Sequence, residues 1–423
     1  MAYGFPDRLS GGRTRTQFTI AALLAVLFLV VLPYGVPVLF PGGLGGFQMS
    51  LLTRTLIFVL FATAFNLLYG YTGLLSFGHA MFIAVAGYTV AKTVTQLTPA
   101  LGFPETFGGA SALVTWVFAL VLGMLMATLF AVLVGYLSVQ LEEIYFALIT
   151  LAFSMAVFVM ANQDTIGTIL QALGIGSGNF SNRSDGITFI MGDVDLFGIV
   201  EFQLVDIINP FGYYFLTLFV VSLGMYAIWR VVRSPFGLVC QAIRENPERA
   251  RALGIDVTFH QWMTFIVSGA FSGLAGALLI PLATNVNPES HAFWTASADP
   301  VIMTVIGGPY SFFGPAIGAF TYEYLRWFIR QFPVLETHWE ASFGLLLLIV
   351  VMFFTNGVSG GLERGRAWLS VAAERYREDG PGGVAAFVRE TVVGYITWAR
   401  DSIVNWVSDR VAGLRRLVGS GSG

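Results

Sequence analysis

Apolar runs of roughly 20 residues recur along this chain, and each is long enough to cross a hydrocarbon core of about 30 Å. They lie at Phe18–Phe40, Leu51–Gly70, Gly73–Ala91, Ala112–Val139, Ile144–Ala161, Gly212–Val232, Trp262–Ala283, Pro300–Phe328 and Ser342–Thr355. Only helices and closed barrels satisfy their own backbone inside lipid. A barrel would alternate polar and apolar residues in segments of about ten, and these runs do not. Only 11% of the residues are charged and 56% are hydrophobic, whereas a soluble domain carries about 25% charged residues. The expectation is an all-α polytopic helical membrane protein with about 8–10 crossings, some broken by Gly or Pro.

Charge distribution orients these segments. Arg8, Arg13 and Arg15 precede the first run, which is too long for a signal-peptide core and is followed by further spans, so it reads as retained. A cytoplasmic N-terminus (1–17) then puts loop 162–210 outside and loop 233–261 inside. The outer loop agrees, holding Arg183 alone against Asp164, Asp185, Asp193, Asp195, Glu201 and Asp206. Gly307-Gly308-Pro309 and Gly314-Pro315 make Pro300–Phe328 either one broken span or two shorter crossings. Two crossings would place the tail 362–423 in the cytoplasm, as Arg364, Arg366, Arg375 and Arg377 favour. In that tail, Val388, Val392, Tyr395, Ala399, Ile403, Trp406, Val411 and Leu414 space out an amphipathic helix. The membrane domain is thus 18–361.

Several functions are excluded or left without parts. Lys92 is the only lysine, which rules out a Walker A loop, so the chain is not itself an ATPase. The single cysteine, Cys240, excludes an internal disulfide, and four scattered histidines show no metal-ligand spacing. No Ser-His-Asp order or phosphate cradle is visible, so no catalytic residue, metal site or resident cofactor is expected. The sequons at Asn179 and Asn182 occur at the level of chance.

Charge concentrates in one inner stretch instead: Arg230, Arg233, Arg244, Arg249 and Arg251. Ser234 can cap a helix that has Pro235 in its first turn. Pro247 stops that helix near Glu245, and Asn246-Pro247 repeats the cap. Glu248 suits the first turn of the second helix, and Gly254 suits its left-handed end. The spacing predicts two short helices at a fixed angle, either as a well-capped loop or as a docking element for a cytoplasmic partner.

Residues Ala242-Ile243-Arg244-Glu245-Asn246, followed by Ala252-Leu253-Gly254-Ile255, resemble the cytoplasmic coupling loop of branched-chain amino acid ABC importer permeases of the LivM type. Gly73-Leu74-Leu75-Ser76-Phe77-Gly78-His79-Ala80 with Gly87-Tyr88, Tyr145–Phe153 leading to Ser184-Asp185-Gly186, and Met303…Ile306-Gly307-Gly308…Gly314-Pro315…Gly318 are similar to three further motifs, in the family's order, over roughly residues 50–360. The resemblance implies ATPase coupling through Arg244, Glu245, Asn246, Pro247, Ala252, Leu253, Gly254 and Ile255. It also implies a substrate path near Gly73, Ser76, Gly78, His79, Tyr88, Tyr145, Thr150, Gly307 and Gly308. Two ABC ATPase subunits binding ATP and Mg, a second related permease and an extracytoplasmic binding protein are implied as partners, with the bilayer and no nucleic acid.

Elementary chemistry reads the same residues more plainly. Gly70, Gly73 and Gly78 break a helix at membrane depth, which exposes orphan backbone groups to a zwitterion or simply allows close packing. His79, as an intramembrane ionisable group, either lines the path or is a hydrogen-bonded structural donor. Gly269-x-x-x-Gly273 and Gly314-x-x-x-Gly318 are small-residue faces for helix packing. Glu323 and Arg326 stand one turn apart and can neutralise each other. The expected function is the permease subunit of an ATP-driven importer for branched-chain or related amino acids, without catalytic activity of its own. A permease for urea or short amides and a stand-alone secondary transporter or channel remain the alternatives.

Overall fold

The computed structural model describes residues 26–33, 45–141, 143–174, 179–196, 200–205 and 211–332, with isolated positions at 341, 344, 345 and 348. Most of Phe18–Phe40, the run Ser342–Thr355 and the amphipathic stretch of the tail lie outside the described residues. Contacts divide the chain into Met1–Ser359 and Gly360–Gly423, and the first unit is described here.

Two central helices organise the bundle. The first helix, α1 (26–33), is followed by α2 (Gly46–Thr72). In α2, 89% of the most apolar window is buried. Inside an apolar surround its hydroxyls need local partners, and Thr53, Thr55 and Thr63 each donate to the carbonyl four residues back at 2.7 Å. Gly73 ends α2 at φ 82°, a left-handed conformation that only glycine adopts cheaply, with its N–H on Tyr69 O. The run expected from Gly73 onwards is therefore not helical at once. Residues 73–79 are irregular, and α3 begins at Ala80 (Ala80–Lys92).

From α3 the chain passes through a π turn, Thr93–Leu97, into α4 (Thr98–Ala100) and α5 (Phe103–Phe107), then crosses back as α6 (Ser111–Ser138). α7 (Glu143–Asn162) and α8 (Thr165–Ala172) lead to a loop holding β1 (Ile187–Thr188) and the hairpin β2 (Asp193–Leu196) with β3 (Val200–Gln203). α9 (Phe211–Val232) returns to α10 (Pro235–Glu245) and α11 (Pro247–Ala252).

α12 (Val257–Ala283) is the second central helix. Its small residues admit close neighbours: a methyl at Gly269 would lie 2.6 Å from Ala131 Cβ, and one at Gly273 would overlap Ala127, both on α6. Ser268 donates to Ala64 O at 2.7 Å, tying α12 to α2. These small-residue faces pack within the chain.

β4 (Asn285–Val286) pairs antiparallel with β1, Ile187 opposite Val286 and Thr188 opposite Asn285. After α13 (Pro288–His291), α14 (Trp294–Gly307) and α15 (Gly314–Ile329) form an antiparallel hairpin. Thus Pro300–Phe328 is two helices and not one broken span. At 14 and 16 residues, each is only about 21–24 Å long. A methyl at Gly307 would overlap Gly314 O, and one at Gly318 would overlap Met303 O, so the two backbones touch.

Among the described residues six helices are long and apolar enough to cross a membrane. The chain is an all-α polytopic membrane protein. Its two ends are distinct. One gathers α10, α11, the end of α2 and the hairpin tip. The other gathers α8, the β1–β4 pair and the end of α3, where Lys92 lies 5.2 Å from the Phe180 ring.

Candidate functional site

The charged stretch folds as its punctuation dictates. Ser234 Oγ accepts from Gly237 N at 3.4 Å, Asn246 Oδ1 from Arg249 N at 2.8 Å and Asp256 Oδ1 from Phe259 N at 2.9 Å. Three consecutive helices, α10 to α12, are therefore capped by side chains at their starts. Gly254 adopts φ 83°, and Ile255 N donates back to Ala250 O at 3.1 Å, closing α11. Ile243, Ala250 and Val257 form a small core of their own beneath this element. Cys240 is buried against Thr264, and burial pushes its thiol up to about 11.

The predicted coupling residues divide between two faces. Leu253 is 77% exposed although it is apolar, and Ala252 and Gly254 beside it are also exposed. Ile255 turns inward against the small core. Arg244 points the other way. Its guanidinium donates to the Gly70 carbonyl, pairs with Glu245 at 2.8 Å and lies 5.0 Å from the Tyr310 ring.

Gly70 O is one of the carbonyls that the end of α2 cannot satisfy, and a cation there also opposes the negative end of the helix dipole. Arg244 Cγ would lie 3.2 Å from a Cβ at Gly73. Pro309 O would meet a Cβ at Gly70, so the hairpin tip, with Gly308 at φ 103°, closes on the same point. Arg244 thus joins α10, α2 and the α14–α15 turn.

The residues around His79 expected to line a path assemble into a sealed knot. His79 is wholly buried, with Nδ1 3.2 Å from Ser76 Oγ and Nε2 2.9 Å from Ser268 Oγ. Phe61, Phe65, Phe82 and Phe265 surround its ring. The orphan donors at the start of α3 are taken: Gly78 N by Ser76 Oγ, and Ala80 N by Ser297 Oγ at 2.8 Å. Gly78 lies against the Thr150 backbone, so α7 closes the other side. Tyr88 is buried with no hydrogen bond on its hydroxyl, and Tyr145 is 60% exposed on the outside of α7.

Ser184, Asp185 and Gly186 form the turn leading into β1. Asp185 O accepts from Asn285 Nδ2 at 3.4 Å, and Gly186 O accepts from Asn182 Nδ2 at 2.8 Å. A methyl at Gly186 would overlap Val286 O. The motif stitches the loop between α8 and α9 to β4. Nearby, Asp164 accepts from Ser181 N at 2.7 Å, from the Ser181 hydroxyl at 2.9 Å and from Phe180 N at 3.0 Å. Burial would raise this carboxyl, but the Ser181, Phe180 and Gly167 bonds hold it below the ordinary aspartate range.

A cavity of about 690 Å³ lies under that roof, and sequence reasoning missed it. Residues of α2, α3, α12, α13, α14 and α15 line it, Arg54, Asp299, Tyr322 and Arg326 among them. Tyr322 donates its hydroxyl to Asp299 Oδ1. Glu323 finds an ion-pair partner across helices, its Oε2 3.5 Å from Arg54 Nε. The only sequence signal is the presence of Arg54, Glu323 and Arg326 inside apolar runs, with Asp299 at the edge of one. No group of three His, Cys, Asp or Glu among the described residues could hold a metal.

Comparison with known proteins fits this architecture. The family model for the branched-chain amino acid transport system permease component matches residues 48–355. The high-affinity branched-chain amino acid transport system permease protein LivM of Escherichia coli is 27% identical over 351 residues, covering 79% of this chain and 74% of that protein. The probable LivM of Methanocaldococcus jannaschii is 22% identical over 71% of this chain and 90% of its own length. The probable LivH of the same organism is 31% identical over 115 residues, 26% of this chain and 34% of that protein. No solved structure matches. That family match covers well over half of the chain, and the chain belongs to the family of branched-chain amino acid transport system permease components.

Proposed function

We propose that this chain is the membrane permease of an ATP-driven importer that moves branched-chain amino acids and performs no chemistry of its own. The observation that carries the reading is the α10–α11 element. It is rigid, capped and exposed at Leu253, yet bound through Arg244 to both α2 and the α14–α15 turn. A surface built this way takes a push from another chain and passes it to membrane helices. Separate ATPase subunits supply that push, with ATP and Mg bound by them, and a related permease and an external binding protein complete the assembly. The arginines of α9–α11 support a cytoplasmic position for this end, with the acidic loop outside. The two accessible states are then two packings, biased by partners that bind one better than the other.

Leu253→Asp tests the docking surface, because its exposed side chain contributes little to folding. The variant should keep its thermal midpoint, lose co-purification with the ATPase subunits and lose ATP-driven L-leucine uptake in proteoliposomes. Normal uptake would remove the docking assignment. Uptake by the chain alone on an ion gradient without ATP would establish the stand-alone transporter instead.

A further inference from the structure

The 690 Å³ cavity falls within the range of about 300–1,000 Å³ typical of small-molecule sites. Its walls are of two kinds. Phe58, Ile83, Leu279 and Leu282 supply an apolar side, while Arg54, Arg326, Asp299 and Glu289 supply charge. Asp299 is anchored through one oxygen by Tyr322. Behind it, Glu323 is 3% exposed, and its Oε1 is buried without a hydrogen-bond partner. A closed structural ion network would satisfy that oxygen, since half-paired buried charge is costly.

The lining of the cavity carries both signs of charge, Arg54 and Arg326 together with Asp299 and Glu289. A guanidinium can take a carboxylate in a fork, and a carboxylate can take an ammonium. The apolar side then faces whatever joins the two.

We infer that this cavity is a binding site within the permease for a small aliphatic zwitterion, with Arg54 and Arg326 facing its carboxylate, Asp299 its ammonium, and Phe58 and Leu279 its hydrocarbon. The inference rests on the transport reading above and adds a selecting site to the membrane chain itself. The Asn285–Asn287 segment, held by the β1–β4 pair, borders the mouth of the cavity.

The test uses the complete permease–ATPase complex without the external binding protein and follows its thermal midpoint. L-Leucine should raise the midpoint. Isoamylamine and isocaproate, which carry one of its two charges each, should need at least roughly tenfold more. Asp299→Asn should weaken the leucine effect roughly 30-fold, the ordinary consequence of removing one partner of a buried charge pair. Leu279→Trp fills the apolar wall without touching a charge and should abolish the effect, so it decides the matter if Asp299→Asn does not assemble.

No leucine effect in the unaltered complex overturns the site, as do equal effects of the three ligands. An effect that survives both substitutions does so too. ATP-driven uptake is measured in parallel on the unaltered transporter: uptake without ligand stabilisation refutes the site and spares the transport reading, while absent uptake refutes that reading.

Discussion

Replacing Arg244 by alanine should leave an importer that hydrolyses ATP but moves little substrate. The side chain makes three contacts of unequal worth. Its bond to Gly70 O is charge-assisted and lies at a helix end, worth about 1.5–3 kcal/mol. The Tyr310 contact lies at an exposed ring, worth about 0.5–1 kcal/mol. The Glu245 pair is solvent-screened on its acidic side and adds a few tenths of a kcal/mol at most. Together they amount to about 2–4 kcal/mol of linkage between α10 and the helices it touches, a factor of roughly 30 to 1,000 in how firmly they move as one.

The assay is a ratio taken on one preparation: L-leucine accumulated per ATP hydrolysed, in proteoliposomes holding the full transporter with its binding protein. Arg244→Ala should lower the ratio at least roughly tenfold while hydrolysis persists, because Leu253, on the opposite face of the element, is unaltered. Arg244→Lys keeps the charge but loses the fork, so it should fall between. A double-mutant cycle with Tyr310→Leu should return a coupling of about 0.5 kcal/mol or more. An unchanged ratio in Arg244→Ala would refute the linkage outright.

Two further outcomes follow from the same contacts. His79→Ala should lower stability by about 2–4 kcal/mol, since it opens a void among four phenylalanines and takes one of two hydrogen-bond partners from each of two buried serines; a thermal midpoint and uptake like those of the unaltered protein would show that His79 holds nothing. Asp164 has a depressed pKa in the fold, so its contribution is present above its unfolded value of 3.8 and fades as pH falls through the lower folded one. Asp164→Asn should therefore cost about 1–3 kcal/mol near neutrality and flatten the acid limb of a midpoint-versus-pH curve; a parallel curve would count against the role given to its Ser181 and Phe180 bonds.

The α10–α11 element was legible residue by residue because its causes are local. Ser234, Asn246, the two prolines and Gly254 each act within four positions, and the structure uses each as its chemistry suggests. The segment 73–79 was harder. Its residues are apolar enough to read as a span, and only the density of glycine hinted that the helix would wait until Ala80. Glu323 shows where local reading stops short. Arg326 one turn away does act on its charge, and α15 also presents Glu323 to Arg54 of α2. Asp299 beside Pro300 carried no motif, and the cavity exists only once α2, α12, α14 and α15 meet.

The Arg244 junction and the charged cavity lie on the same two elements, and that placement explains how one could govern the other. Arg54 and Gly70 both belong to α2, about 24 Å apart along its axis. Asp299 and the turn at Gly308 both belong to the hairpin arm that Tyr310 ends. Because Gly307, Gly314 and Gly318 bring the two arms into backbone contact, the hairpin has no slack in which to absorb a pull at its tip. A displacement of α10 must then appear at the far end as a change in the separation of Arg54 on α2 from Asp299 and Glu323 on the hairpin. The two sites should consequently fail differently. Loss of Arg244 leaves the cavity's ligand contacts in place and breaks transmission, so leucine should still stabilise that variant while transport per ATP collapses. Loss of Asp299 removes the ligand contact and leaves transmission whole. If Arg244→Ala abolished leucine stabilisation as well, the junction would be shaping the cavity at rest and the division between lever and site would be wrong.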